Sequence, residues 1–173
     1  MTMITRRATI GLLAGLSALA FAASANAADS TITVSLWDKG PDSAMMDEMH
    51  PMGMAMGNGM MAEGMPMAMF GITLDMAQVP AGKVTFAVTN TSKEMIHEMV
   101  VSKITSIDQA LPYLKDENKV DEDAAGHLGE VAELDPGKSG ELTLELEPGT
   151  YILYCNIPGH YISGMWQTLT VTP

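Results

Sequence analysis

Near the end of the 173-residue chain, the stretch YILYCNIPGHYISGMW (Tyr151 to Trp166) carries the only cysteine, Cys155. His160 follows five residues later and Met165 five after that. A thiolate beside an imidazole is a donor pair for zinc or copper, and a weak thioether added to it favours copper. One more nitrogen would complete a trigonal plane of two imidazoles and a thiolate with a long axial thioether. The other histidines are His50, His97 and His127. His97 is the best placed, because it lies in the strand pattern of TNTSKEMIHEMVV, whereas His127 sits in an acidic loop and His50 in a methionine tract. The bland alternative is a buried free thiol beside a surface histidine in a Pro-Gly turn. It leaves the spacing, the strand context and the upstream histidine as coincidences.

A second group of soft donors lies upstream, in GPDSAMMDEMHPMGMAMGNGMMAEGMPMAMFG. Eleven methionines fall between Met45 and Met69. They come as Met45, Met46 and Met49 with His50 beside them, then Met52, Met54 and Met56. The Met60-Met61 doublet and the alternating Met65, Met67 and Met69 follow. Thioethers select Cu(I) and bind it without losing a proton. Methionine also serves as adaptable apolar filler, but a Gly-rich insert gains little from so oxidisable a residue. The tract is therefore expected to be a secondary Cu(I) site.

The elements that must hold these donors read as strands. In TITVSLWD, Ile32, Val34 and Leu36 alternate with polar neighbours. The tract then interrupts the pattern as a low-complexity insertion at about 40–70. Alternation resumes with Ile72 and Leu74, turns at Pro80-Ala81-Gly82, and continues through Val84, Phe86 and Val88. MIHEMVVSKI reads as a further strand with Ile96 and either Val100 or Val101 buried. Residues 107–127 read as an acidic loop with room for one short helix. GEVAEL, GELTLEL and TYILYC follow, with Leu142, Leu144 and Leu146 inward, and WQTLTVT closes the chain. In TYILYC, Tyr151, Leu153 and Cys155 share one face, so Cys155 points between the sheets at the end of its strand. Seven to eight short strands with Pro-Gly turns predict an all-β sandwich. Trp37 and Trp166 are expected to pack at its core or rim.

The first 27 residues read as a signal peptide. MTMITRR is basic, ATIGLLAGLSALAFAA is a short apolar run, and Ala25-Asn26-Ala27 suits cleavage. The Arg6-Arg7 pair leaves the general and twin-arginine export routes both open, and the expected destination is the periplasm. No later segment is apolar enough to span a bilayer, so no membrane insertion is expected once the signal is removed. Residues 28–173 would form one domain with seven lysines and no arginine against 21 acidic residues. That balance argues against a nucleic-acid partner, because nothing would neutralise phosphates.

The pattern Cys155-x4-His160-x4-Met165 before a final LTVT strand resembles the blue, or type 1, copper proteins known as cupredoxins. The upstream VTNTSKEMIHEMVV is similar to their first-histidine strand. The resemblance implies a Greek-key cupredoxin sandwich binding one copper through His97, Cys155 and His160, with Met165 axial. It also implies that the backbone N–H of Glu98 donates to the cysteine sulfur. The methionine-rich insertion resembles the layout of periplasmic copper-tolerance cupredoxins. Copper tolerance is therefore the favoured function, with the tract capturing Cu(I) and the His97/Cys155/His160/Met165 site holding copper. The alternative is a soluble periplasmic electron carrier that exchanges its electron through an exposed edge of His160, with Pro158, Tyr161 and Ile162 as docking patch. Both readings expect copper ions and a periplasmic redox or copper-handling protein as partners. An enzyme is not expected, because four histidines are too few for an additional substrate-binding copper.

Overall fold

The alternation of apolar and polar residues over Ser30–Asp38 and Gly82–Asn90 becomes strands that turn one face inward. The computed structural model describes residues 29–40 and 69–173. The expected signal segment, His50 and every methionine of the tract except Met69 lie outside the described residues.

In chain order the strands are β1 (Ser30–Asp38), β2 (Phe70–Leu74), β3 (Gln78–Pro80), β4 (Gly82–Asn90), β5 (His97–Ile104) and β6 (Tyr113–Leu114). They continue with β7 (Lys119–Val120), β8 (His127–Leu134), β9 (Ser139–Leu146), β10 (Gly149–Tyr154) and β11 (Trp166–Thr172). Eight of these have five residues or more, as the alternation implied; β3, β6 and β7 are additions of two or three residues. One sheet runs β2-β1-β4-β9 and the other β3-β11-β10-β5-β8, with β6 and β7 paired separately. The pairs β1/β4 and β3/β11 are parallel; the others are antiparallel.

Ile32, Val34 and Leu36 of β1 meet Val84, Phe86 and Val88 of β4 and Met99 and Val101 of β5 in the core between the two sheets. Each fully buried side chain of this kind is worth roughly 1.5–3 kcal/mol. A second cluster, Val100, Ile104, Leu111, Val120, Ile152 and Tyr154, covers the opposite side of β5 and β10. Both Val100 and Val101 are thus buried, because β5 is packed on both faces. Ile96 departs from expectation: it lies one residue before β5 and is 44% exposed. Residues 107–127 hold no helix among the described residues; β6, β7 and turns occupy that stretch instead. Here Leu111 and Val120 are anchored on the sheet beneath, so the apolar residues serve packing rather than a helical stripe.

Candidate metal centre

Cys155, His160 and Met165 come together because the loop joining β10 to β11 is tied back on itself. The Cys155 N–H donates to the Met165 carbonyl at 3.1 Å, the Met165 N–H to the His160 carbonyl at 3.0 Å, and the His160 N–H to the Ile157 carbonyl at 2.9 Å. Gly159 turns the loop with φ of 85°, a left-handed conformation that suits glycine. Asn156 pins the loop from outside: its amide donates to the Val120 carbonyl at 3.0 Å and to Glu122 Oε1 at 2.7 Å. Its Oδ1 accepts from the Val120 N–H at 2.6 Å.

His97 arrives as the first residue of β5, 58 positions before Cys155 in the chain. The turn that delivers it is built on two buried polar side chains. Asn90 donates to the Met95 and Leu134 carbonyls at 2.8 and 2.7 Å. The Ser92 hydroxyl accepts from the N–H groups of Glu94 and Met95.

The two loops converge on three donor atoms. His97 Nδ1 and His160 Nδ1 are 3.2 Å apart, and Cys155 Sγ lies 3.4 Å from the second and 3.9 Å from the first. A point in the plane of these atoms is about 2 Å from each, close to a metal–imidazole bond length. Met165 shares the buried cluster of Cys155. None of the four side-chain-bearing residues is more than 5% exposed. As expected, the Glu98 N–H points at the cysteine sulfur, at 3.5 Å.

Electrostatics suit an incoming cation. Burial pushes the Cys155 thiol up to about 12, against the pull of the Glu98 and Ile157 N–H groups. The thiol therefore stays protonated until a metal displaces its proton. Burial, with His97 beside it, lowers His160 to about 4. Burial also lowers His97, despite Asp38 nearby. Both imidazoles are neutral near pH 7 and offer lone pairs. A thiol and two imidazoles that converge, with a thioether in the same buried cluster, form a soft-to-borderline donor set that fits copper.

Two residues at this site were not singled out from the sequence. Asp38 Oδ2 is 3.0 Å from His97 Nε2, with both side chains buried. Phe70 stacks on His160, with ring centroids 4.7 Å apart and planes 23° from parallel, and meets His97 edge-on at 6.3 Å. The strand parity of Ile32, Val34 and Leu36 extends to Asp38, which was the available signal. The exposed edge expected for His160 is absent: Phe70 lies over the ring, and His160 is 5% exposed. On the same loop Ile162 is 62% exposed, and Pro158 is exposed too.

His127 does not join this centre. It opens β8 as an exposed residue whose ring nitrogen groups with carboxylates of Glu122 and Glu130, all within 4.8 Å. A register shift makes this grouping. Val100 pairs with Glu130 and Ser102 with His127, so an extra residue of β8 brings positions 127 and 130 onto one face.

The sulfocyanin (SoxE) domain model matches residues 75–173, more than half of the chain. Over 52 residues the chain is 48% identical to auracyanin-B of Chloroflexus aurantiacus, covering 30% of this chain and 22% of that protein. Over 41 residues it is 51% identical to the copper-resistant cuproprotein CopI of Pseudomonas aeruginosa, covering 23% of each. The chain thus matches less than a quarter of the length of either curated relative. A solved auracyanin B structure superposes with a TM-score of 0.50 at 24% identity, covering 83% of this chain and 89% of that one, and has the same fold. An auracyanin from Roseiflexus castenholzii aligns over 84% of this chain and 97% of its own, at 21% identity and a TM-score of 0.47. The chain therefore belongs to the sulfocyanin (SoxE) domain family of cupredoxins, with a buried cluster that fits one type 1 copper.

Proposed function

We propose that this chain is a periplasmic copper-tolerance protein in which His97, Cys155, His160 and Met165 would hold one copper and the methionine-rich segment would capture Cu(I). Copper bound at the centre supplies a one-electron Cu(II)/Cu(I) couple. The polypeptide's part is to hold two neutral imidazoles and one ionisable thiol in a dry, fixed triangle. The Glu98 N–H donates to the sulfur and tempers its electron density.

The observation that carries this reading is where the methionine-rich segment is attached. It leaves β1 at Asp38 and returns into β2 at Phe70, and these two residues face each other across the β1/β2 ladder. The Lys39 N–H donates to the Met69 carbonyl at 3.0 Å and closes the base. One stem residue holds His97 and the other stacks on His160. The two described ends of the methionine-rich segment are therefore rooted beside the proposed ligands. The name of the Pseudomonas relative, a copper-resistant cuproprotein, points the same way.

The second reading is a soluble electron carrier, favoured by the exposed Ile162 beside the His160 loop. Catalysis has less support, since the four proposed ligands are buried and leave no open position for a substrate. Titration of the mature protein with Cu(II), followed by visible absorbance, and with Cu(I) under reductant separates the readings. One coloured copper plus additional Cu(I) that disappears on deletion of residues 45–69 supports capture. One coloured copper without additional Cu(I) supports electron transfer.

A further inference from the structure

We infer that Asp38 is the positioning residue of the copper centre: its buried carboxylate anchors the far nitrogen of His97 and supplies the negative charge that makes the site favour a divalent over a monovalent ion. The inference rests on the reading of His97 as a ligand.

The geometry is that of a built support. Asp38 ends β1 on the inward face already occupied by Ile32, Val34 and Leu36, and its side chain is 3% exposed. Both of its oxygens are engaged, Oδ2 with His97 Nε2 at 3.0 Å and Oδ1 with the Gly40 N–H at 2.7 Å. A carboxylate there accepts from Nε2–H, so the proton of His97 stays on the far nitrogen. Nδ1, with its lone pair, is left facing Cys155 and His160. Rotation of the ring would break the bond to a buried carboxylate, which is costly.

Charge provides the second half of the argument. With the thiol ionised, and with the Glu98 carboxyl and the Lys119 ammonium acting on the sulfur in opposite senses, Cys155 and Asp38 bring two negative charges to the site. A divalent ion brings that sum to zero, whereas a monovalent ion leaves one uncompensated negative charge in a dry pocket. Uncompensated buried charge is expensive, so Asp38 shifts preference toward Cu(II). Without Asp38 the balance reverses, since a monovalent ion and one thiolate are already neutral. Asp38 thus biases the centre toward copper in its divalent form.

The test is Asp38→Asn in the full mature chain, which keeps the shape and removes the charge. In the metal-free wild type, the His97 Nε2 proton should appear in NMR as a far-downfield, slowly exchanging resonance. It should move upfield in Asp38→Asn. On loading, Asp38→Asn should keep the coloured Cu(II) site but lose Cu(II) affinity roughly tenfold or more. Cu(I) affinity should change less, and each tenfold difference raises the reduction potential by about 59 mV. A fast-exchanging or Nδ1-bound proton on His97 in the wild type would overturn the anchoring role. An unchanged or lower potential in Asp38→Asn would overturn the charge role. If the wild type takes up no copper at all, the reading of the centre fails instead, and the metal-free resonance still decides whether Asp38 holds His97.

Discussion

Among the described residues lie two three-donor clusters, and they differ in almost everything except compactness. His97, Cys155 and His160 are buried; Glu122 is half-buried, and His127 and Glu130 are exposed. In each case the donor atoms lie within 4.8 Å of one another. Proximity of ligating atoms therefore does not distinguish the two clusters. The buried triad has a soft thiol, fixed rings and outer partners in Asp38, Phe70 and the Glu98 N–H. The other trio offers two hard carboxylates and an imidazole, with His127 and Glu130 at the surface, where water competes for a metal. Asn156 touches both regions, following Cys155 in the chain and donating to Glu122.

The comparison breaks most visibly at Cys155. Cys155→Ser should abolish the charge-transfer colour altogether. Its copper affinity should fall by more than the roughly 10–100-fold expected for removing an outer partner. Persistence of the visible band in that variant would move the copper away from the buried triad. Met165→Leu should have a smaller effect. Copper stays bound and its reduction potential rises, because a weak donor to Cu(II) is lost. Loss of copper altogether in Met165→Leu would show that the thioether is a principal ligand.

A subtler test uses Glu98, whose N–H serves the buried triad while its carboxyl feels Glu133, Glu122 and Glu130. Burial first, then the charge of Glu133, raises this carboxyl to about 7 from an ordinary value of 4.5. Between those values the folded chain binds more protons than the unfolded chain, so stability falls as pH rises. The melting temperature of the metal-free wild type should therefore drop across this window, and that of Glu98→Gln should drop less. Equal slopes would mean the carboxylate finds compensation. The smallest effect is expected at His127: His127→Ala should leave colour and potential of the centre unchanged. A shifted potential there would mean the exposed trio communicates with the copper through Asn156.

Parts of both regions were legible in the chain itself. The alternation of Tyr151, Leu153 and Cys155 on one face and Ile152 and Tyr154 on the other is a local property of an extended backbone, and the two buried clusters divide them in that way. The same rule failed at Ile96, because alternation holds only inside a strand and β5 begins one residue later. It was insufficient at 107–127, where apolar residues are placed by the sheet they cover rather than by any period of their own.

By itself, then, the sequence determined the inward face of strands such as Ser30–Asp38, that the sandwich is all β, and that a thiol, an imidazole and a thioether share one loop. These follow from neighbours a few positions apart, where backbone geometry decides. Only the tertiary structure decided that Asp38 meets His97, 59 residues away, and that Phe70 closes over His160. It also decided that a shifted register gathers His127 with two glutamates. Such meetings depend on how two sheets stack and which strands pair, and no local pattern along the chain encodes the partner at the far end of the contact.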